Sequence, residues 1–532
     1  MKYTITTIVF SIFLYIGCGN NSTPHIITTD EHISNAIENK KIQEGWDVKE
    51  NRLQLIEAIK NADKEGLLPE DYQYAELLQH EEMIDSNPDS KEKYFELLTA
   101  AYIKYISHLT NGKVNPLEIY TDWEIKPKEI QPDTILSIAL RKNKIDSTIE
   151  SHKPKHTIYL NLKKALAKID AMPEENFDSI KTKEKFKLGL KSKTVAKIKE
   201  RLRYWGDLNT KDSLTEDLYN KELKIAVTKF QSRHGLAADG MIGPGTLKAL
   251  NFSKKNRREQ LIANLERWRW FPEDLGTNFL GVNIPNFLLY VVENNDTISN
   301  HKVVVGQPKR KTPILSSRAD NIVFNPTWTV PPTIIKEDLI PDATKSRSYF
   351  SKTRIKIFNH KGTEIPVSEW KPADAKKYKY VQEPGYNNSL GVVKINFPNN
   401  HLVYMHDTNH RDYFVYNYRA LSSGCVRIEK PLPLVEYLLK NKTYKERQKN
   451  KKLIEKPIYS LSEIDTIVKT KKTKTVKLDQ NFGVHFLYFT AWYDKTELQF
   501  RQDIYNYDPD LYLRLSNQFT GDVVTSSRVI DK

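Results

Sequence analysis

Leu402-Val403-Tyr404-Met405-His406-Asp407 and Ser422-Ser423-Gly424-Cys425-Val426-Arg427 are the stretches on which the reading of this chain turns, Cys425 standing nineteen positions after His406. The first is expected to be a strand. Alternation puts Leu402, Tyr404 and His406 on one face and Val403 and Met405 on the other. His406 then emerges near the strand end beside an aromatic ring, where an imidazole can face a cleft. In the second stretch Gly424 lets the backbone turn tightly before the thiol. With Ser423 it makes a loop whose amide N–H groups can converge on one oxyanion. Arg427 adds positive charge that favours thiolate over thiol.

A cysteine nucleophile needs an imidazole within about 3 Å to take its proton and return it to a leaving amine. His406 is the best candidate, because it follows a strand of the same domain. The residues equally fit a buried structural cysteine in a glycine turn, with a histidine satisfied by hydrogen bonds. A metal centre is not expected. His401, His406 and His410 put no pair on one strand face with a third carboxylate, and Asp407 points away from His406. No cofactor is called for.

Outward from these stretches the pattern is that of a mostly β domain over 260–532. Phe279-Leu280-Gly281-Val282-Asn283-Ile284-Pro285, Phe287 to Val292, His301 to Gly306 and Asn321 to Phe324 are short, β-rich and bounded by Gly, Pro or Asn. Residues 332–390 are Lys- and Tyr-rich without clean alternation and read as an insertion. Lys440 to Lys477 reads as a basic, solvated surface loop, and Leu487 to Trp492 as a final strand. Before this domain, residues 192–252 form a second unit. Val195, Ile198 and Leu202 share a helical face, Ile225 to Phe230 opens another helix and Thr246 to Leu250 a third. Residues 31–190 are helical throughout, punctuated at Gly66 to Pro69 and Asn111 to Pro116. The fold class is therefore a multi-domain α+β chain: a helical N-terminal scaffold, a three-helix module and a mostly β domain with an insertion.

The 532 residues hold three or four domains at roughly 150 residues each. With 28 Tyr, 20 Phe and 8 Trp the chain has ample material for cores, which excludes wholesale disorder. No internal run reaches the roughly 20 apolar residues of a membrane-spanning helix, which excludes a polytopic membrane protein. The formal net charge of +15 favours anionic partners. No zinc-finger, basic-zipper or ribonucleoprotein motif accompanies it, so nucleic acid is not an expected partner. Two cysteines are too few for a disulfide framework. Cys18 closes an N-terminal segment, 1–18, with a short positive start and an apolar stretch from Tyr3 to Ile16, as in a secretory signal peptide. A small residue followed by Cys at its end resembles a lipobox, although Tyr15 stands where Leu is usual. The resemblance implies lipidation of Cys18, a tether over 19–30, and a membrane-anchored lipoprotein of the periplasm.

Two further resemblances are specific. Phe230-Gln231, His234-Gly235-Leu236, Asp239-Gly240 and Ile242-Gly243-Pro244 with Thr246 are similar to the peptidoglycan-binding domain 1 signature. That implies a three-helix module holding cell-wall glycan or stem peptide. His406-Asp407-Thr408 with Ser422-Ser423-Gly424-Cys425-Val426-Arg427 resembles the active-site motif of L,D-transpeptidases with the YkuD-type catalytic domain. Glu266 to Trp270, Thr312-Pro313, Asn325 to Trp328 and Tyr488 to Trp492 match its large multi-domain periplasmic branch. Ser423 stands where many members have His, and Asn409 where the branch usually has Pro. The resemblance implies a thioester on Cys425, His406 as base, and 3→3 cross-linking of tetrapeptide stems. It implies carbapenem-type β-lactams as covalent inhibitors and a capping subdomain at 332–390. Tyr404 is a candidate for lining the substrate cleft or for core packing. Arg427 is a candidate for binding a stem carboxylate or for bracing the loop. An L,D-carboxypeptidase shares nucleophile and base, and a non-catalytic peptidoglycan-binding lipoprotein is the remaining alternative.

Overall fold

The helix Lys91–Asn111 shows how the N-terminal region is built. Tyr94, Phe95, Leu98, Ala101, Tyr102, Tyr105, Ile106 and Leu109 recur at three- and four-residue intervals and are all buried. The helix stops at Gly112, whose positive φ of 84° suits glycine and whose N–H donates back to the His108 carbonyl at 3.0 Å. Shorter helices, among them Thr29–Ile37, Lys49–Lys60 and Pro132–Arg141, close around it over one core that includes Trp46, Leu55 and Leu136. The computed structural model describes residues 28–86, 90–209, 217–447, 453–479, 482–494 and 497–516. Cys18, the segment 1–18 and the tether as far as residue 27 lie outside the described residues.

Helices Lys193–Tyr204, Lys221–Arg233 and Pro244–Leu250 share a separate core. Its turn is tied by Gln231. The Gln231 Nε2 donates to the Met241 carbonyl (2.8 Å) and Thr246 Oγ1 (3.1 Å), and Oε1 accepts from Gly240 N–H at 2.8 Å. The signature residues of this module thus hold one another in place.

A long capped helix, Lys254–Arg269, joins both units to the β domain. Ser253 and Asn256 form a capping box at its start. The helix packs against Thr157–Asp170, whose Tyr159, Leu162 and Leu166 belong to the core of the β domain, not to that of the N-terminal helices. Beyond it lies an eleven-stranded sheet. Its order is Lys474–Lys477, Asn321–Phe324, Val393–Asn396, Met405–His406, Val426–Ile428, Asp296–Gly306, Leu288–Glu293, Phe279–Asn283, Gly483–Leu487 and Leu315–Arg318, with Ala420–Ser422 pairing onto Asp296–Gly306.

The insertion leaves this sheet between two neighbouring antiparallel strands, Asn321–Phe324 and Val393–Asn396. It folds as a small α/β unit. Strands Trp328–Thr329, Lys379–Gln382, Ile355–Phe358 and Glu364–Ile365 make a four-stranded sheet, covered by helical turns over its own core of Val330, Leu339, Phe350, Trp370 and Tyr380.

Four segments differ from the sequence reading. The first is 171–190, expected within the helical scaffold but without a helix after Asp170, and it contributes Ile180 and Phe186 to the core of the three-helix module. The strand expected from Leu402 is reduced to Met405–His406, because Asn399 Oδ1 accepts from His401 and Val403 N–H (3.1 and 3.0 Å) and curls the chain into a turn. Leu402 adopts φ 55° there, is 83% exposed and does not share the Tyr404 face. The final strand ends at Leu487, and Ala491–Asp494 starts a separate hairpin with Glu497–Phe500. The break is where Thr490 docks on the long helix, its N–H donating to Asn264 Oδ1 at 2.9 Å. Finally, the basic stretch 440–477 is not a loop. It holds the hairpin Thr443–Arg447 with Leu453–Pro457, the helix Leu461–Lys469 anchored by buried Ile464, and the sheet-edge strand Lys474–Lys477.

Candidate active site

Met405–His406 runs parallel to Val426–Ile428, with Met405 opposite Val426 and His406 opposite Arg427. Val426 N–H donates to the Tyr404 carbonyl at 3.1 Å, which continues the register and sets Cys425 level with Tyr404. Met405 and Val426 point into the core. Tyr404, His406, Cys425 and Arg427 consequently share the other face. Cys425 and His406 are diagonal neighbours on it, two positions apart along adjacent parallel strands. The Tyr404 and His406 rings meet edge to face with centroids 5.5 Å apart. The Tyr404 hydroxyl lies against the Cys425 thiol, where it favours the anion against the larger effect of burial.

The nucleophile turn is held from behind. Gly424 has φ 114°, a conformation that favours glycine, and its carbonyl accepts from Thr312 Oγ1 at 2.7 Å. Thr312 Oγ1 also accepts from Gly306 N–H (2.8 Å), and the Tyr505 hydroxyl, donating to the Gly306 carbonyl (2.7 Å) and accepting from Thr312 N–H (3.0 Å), locks that loop. Ser422 Oγ donates to the Cys425 carbonyl (2.7 Å) and accepts Gly424 N–H (3.2 Å). Gly424 therefore supplies the turn while its own N–H is occupied. The exposed side chain of Ser423 accepts from Arg310 Nη1 at 2.9 Å.

Electrostatically the resting site is neutral at its reacting atoms. Burial pushes the His406 pKa down to about 3, with the positive charges of Arg427 and Lys394 acting in the same direction. Burial also pushes the Cys425 thiol up, outweighing the Tyr404, Lys394 and Arg427 groups that favour its anion. Arg427 favours thiolate as its charge implies, without deciding the balance, since desolvation is larger. The His406 Nδ1 is buried without a hydrogen-bond partner. Asp407 does not orient it: Asp407 Oδ2 accepts from Val392 N–H (3.0 Å) and Arg411 Nη2 (2.6 Å). His401 lies 3.9 Å from Glu124 and His410 stacks on Tyr413, so the three histidines go separate ways.

Two functional candidates escaped the sequence. Lys394 stands opposite His406 in the antiparallel ladder, its Nζ 3.8 Å from the Tyr404 ring centroid. A lysine alternating with Val393 and Ile395, both buried, was the available signal. Arg310 joins the nucleophile turn to the insertion. It binds Asp338 through Nη1 and Nη2 (2.7 Å each) and Glu337 through Nε (2.9 Å), while holding Ser423.

Family comparison adds to this geometry. Residues 40–166 match a scaffold domain, 191–250 a "Putative peptidoglycan binding domain", and 277–452 the L,D-transpeptidase catalytic domain, YkuD. A curated relative from Haemophilus influenzae, "Putative L,D-transpeptidase", is 32% identical over 262 residues, 49% of this chain and 50% of the relative. The chain thus spans about half the length of the curated relative it matches. Among solved structures, the L,D-transpeptidase of Stackebrandtia nassauensis is 15% identical, covering 60% of this chain and 97% of its own at a TM-score of 0.21. The L,D-transpeptidase of Xylanimonas cellulosilytica is 14% identical, covering 49% and 94% at a TM-score of 0.16. Scaffold helices, a peptidoglycan-binding module and the Cys425 face of a curled sheet come together in one chain, whose residues 277–452 match the YkuD L,D-transpeptidase catalytic domain.

Proposed function

We propose that this protein is a cell-wall L,D-transpeptidase that forms 3→3 peptidoglycan cross-links through a thioester on Cys425. The observation that carries the reading is the sheet face shared by Cys425, His406, Tyr404 and Arg427. Cys425 Sγ attacks the carbonyl between the third, diamino acid residue of a donor stem and its terminal D-Ala, and the thiol proton passes to His406. Because thiol and imidazole both rest neutral, the proton moves during attack, as general-base catalysis requires. The oxyanion is received by the backbone N–H groups of Ser423 and Cys425, the Gly424 N–H being held by Ser422 Oγ, and loss of one donor costs roughly 3 kcal/mol in comparable sites. The C–N bond then breaks, His406 returns the proton to the amine, and D-Ala leaves. A side-chain amine from the third residue of an acceptor stem attacks the thioester. The new C–N bond forms as C–S breaks, and the amine proton returns to sulfur through His406.

Arg427 fits a stem carboxylate better than a brace, since its Nε and Nη1 are buried without partners. The module at 192–252 holds the wall near the site, the insertion at 332–390 caps the cleft, and a lipid on Cys18 anchors the chain at the periplasmic side of a membrane. The deciding experiment incubates purified protein with disaccharide-tetrapeptides and reads the products by mass spectrometry. Dimers joined through two third-position residues are expected, and Cys425→Ala abolishes them while sacculus pull-down persists. Shortened tripeptides alone point to an L,D-carboxypeptidase, and unchanged substrate overturns the enzymatic reading. A carbapenem should add its full mass to the wild type and not to Cys425→Ala. Labelled palmitate should enter the wild type and not Cys18→Ser.

A further inference from the structure

Lys394, His406 and Arg427 form a row across three adjacent strands. Lys394 pairs with His406 in the antiparallel ladder on one side, and Arg427 pairs with His406 in the parallel ladder on the other. The imidazole is thus flanked by two cations. Lys394 Nζ rests over the Tyr404 ring, and the Arg427 guanidinium lies 5.8 Å from the Tyr413 ring centroid. Among the described residues no carboxylate comes within ion-pair distance of either. Burial lowers the pKa of both, so each is held charged at a cost that a neighbouring anion would remove.

The geometry of the donor limits which anion can do this. Its terminal carboxylate is one residue beyond the attacked carbonyl, and successive residues are spaced about 3.8 Å apart. A receptor for that carboxylate must therefore border the nucleophile; carboxylates nearer the start of the stem fall further along the cleft. The amine that His406 protonates belongs to the same terminal residue, so its carboxylate falls beside the residues that flank His406. We infer that Lys394, together with Arg427, binds the terminal α-carboxylate of the donor stem and so determines specificity for peptides that end one residue after the scissile bond. This rests on the thioester reading given above. A longer stem would place a neutral amide and a further residue where the two cations require a carboxylate.

The test compares disaccharide-tetrapeptide bearing a free terminal carboxylate with the same compound bearing a terminal carboxamide, by mass spectrometry of the released residue. In the wild type the acid should be preferred in kcat/KM by about 30-fold, equivalent to about 2 kcal/mol at about 1.4 kcal/mol per tenfold. Lys394→Met should bring the ratio of acid to amide close to unity, and Lys394→Arg should restore most of it. A wild type that does not discriminate overturns the inference. So does a Lys394→Met that slows both compounds equally, because such a lysine serves only the thiol or the fold. Turnover of neither compound by the wild type overturns the thioester reading itself, and this inference with it.

Discussion

The helix Lys254–Arg269 and the sheet face at Cys425 both take guanidinium groups out of water, and they treat them in opposite ways. In the helix, Arg269 Nη1 meets Glu266 Oε2 at 2.9 Å and Arg267 Nη2 meets Asp508 Oδ1 at 2.6 Å. All four groups are buried, and the acidic surroundings hold both arginines above their ordinary pKa. At the sheet face Arg427 and Lys394 have no carboxylate among the described residues, and burial lowers the pKa of each. The difference separates a charge whose partner is part of the chain from one whose partner arrives from outside. The first kind joins elements far apart in sequence; the second kind keeps a site ready for an anion.

The largest effect that sharpens this contrast is expected at the helix. Glu266→Gln leaves Arg269 buried without its carboxylate and should lower stability by about 3–5 kcal/mol, read from denaturation midpoints. Arg427→Met should do the reverse, keeping or raising the midpoint while reducing kcat/KM by about 100-fold, because charge-assisted hydrogen bonds contribute about 1.5–3 kcal/mol each. A midpoint loss for Arg427→Met as large as that for Glu266→Gln breaks the distinction. Arg310→Ala should cost less than about 1 kcal/mol of stability, since Glu337 is exposed and Asp338 half-exposed. Its mark should be a drop of about tenfold in kcat with KM little changed, from loosening the Ser423 turn.

The smallest effect is a pH profile without a feature. A histidine with a depressed folded pKa contributes stability that is present above the unfolded value of 6.5 and is lost as pH falls towards about 3. His406 therefore stays a base throughout mild acid, and turnover should show no inflection near the ordinary imidazole pKa. Alkylation of Cys425 by iodoacetamide should rise with pH through the ordinary thiol range and beyond it. An inflection near about pH 6 in both measurements would reveal a preformed thiolate–imidazolium pair.

Much of the architecture was legible because it is local. Three- and four-residue spacing marks the helices as far as Asp170, though not the irregular stretch 171–190, and the turn signature around Asp239-Gly240 marks the module that Gln231 ties together. Cys425 and His406 were legible as candidates because a glycine turn and a strand end are written in a few neighbouring residues. What was not legible depends on partners distant in sequence. Arg310 gains meaning only from Glu337 and Asp338 in the insertion, and Lys394 only from a register with His406. The strand at Leu402 failed for a local reason that alternation does not see: the Asn399 side chain competes for the backbone N–H groups. The balance at Cys425 was not legible, because the favourable charge of Arg427 is visible in the sequence and the larger effect of desolvation is not.

The insertion departs and returns at adjoining rungs of one ladder, Phe324 opposite Val393, with Asn325 N–H reaching the Val392 carbonyl at 2.8 Å. Its hydrophobic residues pack on one another. A tight turn could bridge the two rungs, and the sheet beneath would keep its alignment. Selection can thus reshape, enlarge or exchange this unit without renegotiating the foundations, which frees it to evolve separately from the sheet that carries the thiol.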